Sequence, residues 1–68
     1  MQNGKVKWFN KKKGIGFIIT EDNTDDIFIH YSNIIGEGYK NLEEGDSVMF
    51  LLEESSKGLI GKEIQKVN

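Results

Sequence analysis

Short runs of β-branched and aromatic residues recur along this chain with turn-forming residues between them, and no window sustains the i, i+3, i+4 apolar spacing of a helix. That rhythm predicts an all-β fold. Strands are expected over Lys5–Asn10, Ile15–Thr20, Asp26–His30, Ser47–Glu54 and Leu59–Val67. Breaks fall at Lys11–Gly14, Glu21–Asp25 and Ser55–Gly58, each rich in residues that tolerate turn geometry, and two or all three of them are read as hairpin loops. The longer segment Ser32–Asp46 has room for a short helical turn at Ser32–Ile35 with Ser32 as its N-cap, either 3₁₀ or α. Five short strands with one long connection after the third suit a closed small barrel, which removes the exposed edges that invite aggregation.

At 68 residues the chain is read as one domain, 1–68, near the lower size limit for folding without a staple. It has no Cys, so it has neither a disulfide framework nor a thiolate metal site, and its single His cannot complete a zinc site alone. No stretch approaches the roughly 20 apolar residues of a membrane span, and the N-terminus lacks the apolar run of a signal peptide. The expectation is a soluble cytoplasmic monomer without metal or cofactor.

The net charge of −2 conceals a strong asymmetry. Residues 1–20 carry Lys5, Lys7, Lys11, Lys12 and Lys13 and no acid, whereas the remainder carries all 11 acids against four Lys. The local field over the first third is therefore positive, and local field governs what a surface attracts. In Lys5–Tyr31 these lysines are interleaved with the only Trp, the only His, Phe17, Phe28 and two closely spaced glycines. Flat rings stack on bases, ammonium groups track phosphates, and glycine permits close approach of a ligand.

Period-two alternation assigns faces. In the third strand Ile27 and Ile29 form the core side, which leaves Phe28 and His30 outside. An exposed Phe beside a His is poor use of surface unless something stacks on it. In the second strand both faces carry apolar residues, and Gly16 indicates a bulge, a barrel bend or a nearby ligand. In the first, strict alternation puts Val6 and Trp8 inside and Lys5, Lys7 and Phe9 outside; a β-bulge would re-aim Trp8. Val48, Phe50 and Leu52, with Ile60, Ile64 and Val67, read as structural.

Catalysis finds little support. His30 is the only plausible base near neutral pH and nothing marks a partner for it. The acids cluster in turns, and E-D-N-T-D-D lacks the glycine and distal Glu of a calcium loop. K-G-I-G-F has neither the Lys-Ser/Thr pair nor the following helix of a nucleotide-binding loop.

The run K-V-K-W-F-N-x-x-K-G-I-G-F-I at Lys5–Ile18 resembles the first ribonucleoprotein-type motif of bacterial cold-shock proteins with its leading strand, and D-I-F-I-H-Y at Asp26–Tyr31 resembles the second. Ser32–Ile34, G-E-G-Y at Gly36–Tyr39 and L-x-E-G-D at Leu42–Asp46 extend the likeness along nearly the whole chain. The resemblance implies a five-stranded antiparallel closed barrel of the oligonucleotide/oligosaccharide-binding (OB) fold that binds single-stranded RNA and DNA and acts as an RNA chaperone without ATP. It implies a binding face of Lys7, Trp8, Lys13, Phe17, Phe28, His30, Tyr31 and Tyr39, with Lys57 as a backbone contact in the loop after the fourth strand. It also implies that Trp8 faces solvent, and hence the bulge.

Three departures from the family pattern bear on affinity. Ile15 stands where a Phe is usual, keeping apolar contact but losing a ring whose stack is worth about 1–3 kcal/mol. Tyr31 and Tyr39 replace Phe and add hydroxyls able to bond a base edge or phosphate. All cations are Lys, so bidentate Arg recognition is absent. Sequence preference is expected to be modest and to favour pyrimidine runs. The alternative is a small structural or peptide-binding barrel, which has no need of lysines beside its rings.

Overall fold

The structure, a computed structural model, describes residues 1–21, 25–36 and 42–67, so Tyr39 and most of the Glu21–Asp25 turn lie outside the described residues. Five strands, β1 (Gln2–Asn10), β2 (Ile15–Ile19), β3 (Ile27–His30), β4 (Ser47–Ser55) and β5 (Gly58–Lys66), close into a barrel in the order β1-β2-β3-β5-β4. The first strand begins three residues earlier than expected, because Gln2–Lys5 pair with β4. All three breaks join antiparallel neighbours.

The barrel is antiparallel at four of its five seams and parallel where β3 meets β5. An odd number of strands cannot alternate direction all the way round, so one seam has to be parallel. That seam registers Phe28 against Ile60 and continues as an isolated bridge from Ile34 to Ile64.

The core is aliphatic around one ring. Val6, Ile18, Ile27, Ile29, Ile34, Leu42, Val48, Phe50 and Ile64 are buried, with Phe9, Leu52 and Leu59 packed against them. Burying such side chains stabilises by about 1.5–3 kcal/mol each before the ordering entropy is subtracted.

Between β3 and β4 the chain makes a 3₁₀ turn at Tyr31–Asn33. Its N-cap is His30 rather than Ser32: the imidazole accepts the Ser32 amide N–H, and the hydroxyl of Ser32 lies inside the turn against the same ring nitrogen. The segment before β4 is tied back onto β1, where Val6 N donates to the Asp46 carbonyl at 2.9 Å and Gly45 N donates to the Val6 carbonyl at 2.8 Å. The Asp46 carboxylate accepts the Glu43 amide N–H at 2.9 Å and faces the Lys66 ammonium at 3.2 Å. The backbone N–H, assisted by Lys66 and opposed by burial, holds the Asp46 carboxyl below its ordinary pKa.

Candidate functional site

Two phase slips decide which apolar side chains reach solvent. In β1 the register against β2 steps from Val6↔Ile18 to Trp8↔Phe17, so Lys7 is an extra residue in a β-bulge. Val6 points inward, Trp8 outward with 39% of its surface exposed, and Phe9 returns to the core. Strict alternation has both aromatics on the wrong sides, and the bulge is the reason. In β5 the register against β4 steps from Leu51↔Lys62 to Met49↔Gln65, with Glu63 at a positive φ of 48°. Gly61 and Ile64 both face in, so Ile60 lies outside, and Val67 is exposed; neither belongs to the core.

The outward side chains of adjacent strands form a row. Trp8, Phe17 and Phe28 are successive register partners across β1, β2 and β3. Their ring centroids are 5.4 Å apart at 59° for Trp8–Phe17 and 5.7 Å apart at 70° for Phe17–Phe28. Tilted and edge-on contacts of this kind favour aromatic pairs and hold each ring at a set angle. Two residues along, Ile15 registers with His30, and the His30 ring lies 4.5 Å from that of Tyr31, which is 49% exposed.

Glycines fix this surface from beneath. Gly14 has a φ of +71°, and its carbonyl accepts the Tyr31 amide N–H at 2.7 Å; a side chain there would collide with the Tyr31 ring. The space at Gly16 is filled by β1: a Cβ would meet Phe9 Cα at 2.9 Å and the Trp8 carbonyl. Of the sequence expectations for Gly16, the close approach of a barrel strand at its bulge is the one realised.

The His30 tautomer follows from its contacts. Because Nδ1 accepts the Ser32 N–H, the neutral ring carries its proton on Nε2 and presents a donor there.

The cations differ in availability. Lys7 reaches across β2 to Asp26, with Nζ 2.8 Å from Oδ2, although the pair is half exposed and such pairs are worth about 0–1 kcal/mol. A phosphate can take the place of Asp26 at small cost. Lys11 pairs loosely with Glu43 at 3.8 Å. Lys13, in the turn Lys11–Gly14, has its amide held by Asn10 Oδ1 at 3.0 Å and its ammonium without a carboxylate partner among the described residues. Lys57 sits in the β4–β5 turn, where its amide donates to Ser55 Oγ at 3.2 Å.

The structure thus gathers Trp8, Ile15, Phe17, Phe28, His30 and Tyr31 on one face, with Lys7 in its bulge and Lys13 on the turn entering β2. Sequence reasoning missed Asp26 as the partner of Lys7 and Ile60 as the neighbour of Phe28. Nothing local marks either, since the first is a contact across an intervening strand and the second depends on a bulge.

The residue pattern of the family described as "'Cold-shock' DNA-binding domain" matches residues 2–67. The chain is 57% identical over 58 residues to cold shock protein CspD of Bacillus subtilis, covering 85% of this chain and 86% of that protein. It is 48% identical over 67 residues to the major cold shock protein of Micrococcus luteus, covering 98% and 100%. To the major cold shock protein CspA of Pseudomonas aeruginosa it is 48% identical over 66 residues, covering 97% and 94%. Among solved structures it is similar to Drosophila Unr CSD456 at a TM-score of 0.81, with 16% identity over 98% of this chain. It spans 26% of that longer chain, and the likeness there is one of fold.

Proposed function

This chain belongs to the "'Cold-shock' DNA-binding domain" family, and from that premise we propose that it is a single cold-shock domain that binds single-stranded RNA and DNA as a cytoplasmic monomer. Bases stack on Trp8, Phe17, Phe28, His30, Tyr31 and Tyr39 and rest against Ile15, while Lys7, Lys13 and Lys57 meet the phosphates. The observation that carries the reading is the row Trp8–Phe17–Phe28, three rings on the outside of a barrel whose core is aliphatic around Phe50. Rings turned outward, Trp8 by the bulge and Phe17 and Phe28 by alternation, with ammonium groups beside them, match what an unpaired strand offers: π-faces and phosphates.

The activity is binding without a chemical step. A protein that holds only the unpaired strand shifts the hairpin-to-open equilibrium of RNA by mass action, which is chaperone action without ATP. Roles in transcription and translation control and in adaptation to cold follow from the family, and stacking without Arg readout supports a modest preference for pyrimidine runs.

Trp8 reports on its own site. Titration with a short single strand is expected to quench its fluorescence saturably, whereas the same sequence as a duplex, or a Pro-rich peptide, leaves it unchanged. Equal response to strand and duplex, or to peptide alone, would refute the proposal.

A further inference from the structure

The ring row does not stop at β3. Phe28 registers with Ile60 across the parallel seam, and Ile60 registers with Glu53 on β4, so one line of outward residues runs Trp8, Phe17, Phe28, Ile60, Glu53. Gly61, beside Ile60, faces the core and approaches Ile29 and Ile27, which fixes Ile60 on the opposite side. Ile60 is half-buried and is not among the residues packed against the core. Glu53 is exposed, and its carboxylate repels phosphate, so the line changes from apolar to anionic one strand later.

We propose that Ile60 is a further contact residue of the nucleic-acid strip, giving the base stacked on Phe28 an aliphatic wall that favours a pyrimidine bearing a 5-methyl group; this rests on the binding reading above. An aliphatic side chain covers a methyl group well and offers nothing to a polar edge. Burying one methyl is worth about a fourfold affinity ratio, equivalent to about 0.8 kcal/mol. Glu53 marks the margin of the strip on this side.

The test uses an isosteric pair. Ile60→Val keeps a β-branched apolar wall and Ile60→Thr replaces one methyl by hydroxyl, while both suit a strand. Thermal unfolding verifies that each is folded, and affinities are measured for oligothymidylate and for oligodeoxyuridylate of equal length, which differ only in the 5-methyl. Ile60→Val is expected to retain the thymine-over-uracil ratio, and Ile60→Thr to lose most of the fourfold margin. Identical ratios in wild type and both variants, with Phe28→Ala still weakening both oligomers, would overturn the role of Ile60 alone. Unchanged affinity in Phe28→Ala and Trp8→Ala would overturn the binding reading itself.

Discussion

Gly16→Ala would set a methyl carbon 2.8 Å from Phe9 Cδ1 and 2.9 Å from Phe9 Cα, and closer still to the carbonyl oxygen of Trp8. Two of these three neighbours are backbone atoms and cannot rotate away, so β1 has to move off β2 at its bulge. Overpacking a core costs about 1–3 kcal/mol, and a collision with main chain belongs at the upper end. Against a domain stability of about 5–15 kcal/mol this is a large fraction. At about 4–8 °C per kcal/mol for a chain of this size, a loss of about 2–3 kcal/mol lowers the melting midpoint by roughly 10–20 °C. Far-UV circular dichroism on heating measures it. Gly61→Ala is the comparison, because its nearest neighbour is a side-chain methyl, Ile29 Cγ2 at 3.1 Å, which can yield, and its cost is smaller. A Gly16→Ala protein within about 0.5 kcal/mol of wild type would refute the argument. One that kept its stability but lost oligonucleotide binding would show that the room at Gly16 belongs to the ligand.

Phe28→Ala is expected to weaken oligothymidylate binding by about 1–3 kcal/mol with the barrel still folded, as read by titration and unfolding. The logarithm of affinity should fall with that of salt at about −0.7 per phosphate neutralised, and a flat dependence would remove the lysines from the account. Asp26→Asn releases Lys7, so it should tighten binding at low salt and steepen that slope; an unchanged slope would show that Lys7 takes no phosphate. Asp46 has a lowered pKa when folded, so the unfolded chain takes up its proton first as the solution is acidified. Its contribution is present above the ordinary carboxylate range and is lost as pH falls through the folded-state value. Asp46→Asn should therefore lower the melting midpoint near neutral pH, with the gap to wild type closing in acid.

Alternation made most of this fold legible. Val6, Ile27, Ile29, Val48 and Phe50 are buried as the period of two requires, and Phe28 and His30 stand outside on the same grounds. The pattern fails at its phase slips. A bulge adds one residue and inverts every later side chain, and neither Lys7 nor Glu63 announces itself by residue type; Glu63 even adopts a positive φ that favours glycine. Phe9 and Ile60 lie on the opposite side from the one alternation gives them for this reason, whereas Val67 lies beyond the end of β5 and is exposed. Alternation by itself keeps Trp8 inside, and only the family resemblance implies its outward position. The Lys7–Asp26 pair is illegible for a different reason, since it reaches from β1 across β2 to the residue just before β3.

If bases stack on it as proposed, the row of rings also works as a ruler. Its pitch is set by the strand spacing of the barrel, about 4.8 Å, and by the tilt of each ring, which together give 5.4 and 5.7 Å between centroids. Successive bases in a duplex rise by only about 3.4 Å. A strand laid over Trp8, Phe17 and Phe28 has to be drawn out until its bases part from one another, and a strand so extended cannot keep its register with a complement. On the proposed binding mode, selection against the double helix would need no clash and no recognition of sequence, because it would be measured off by the hydrogen-bond ladder that closes the barrel.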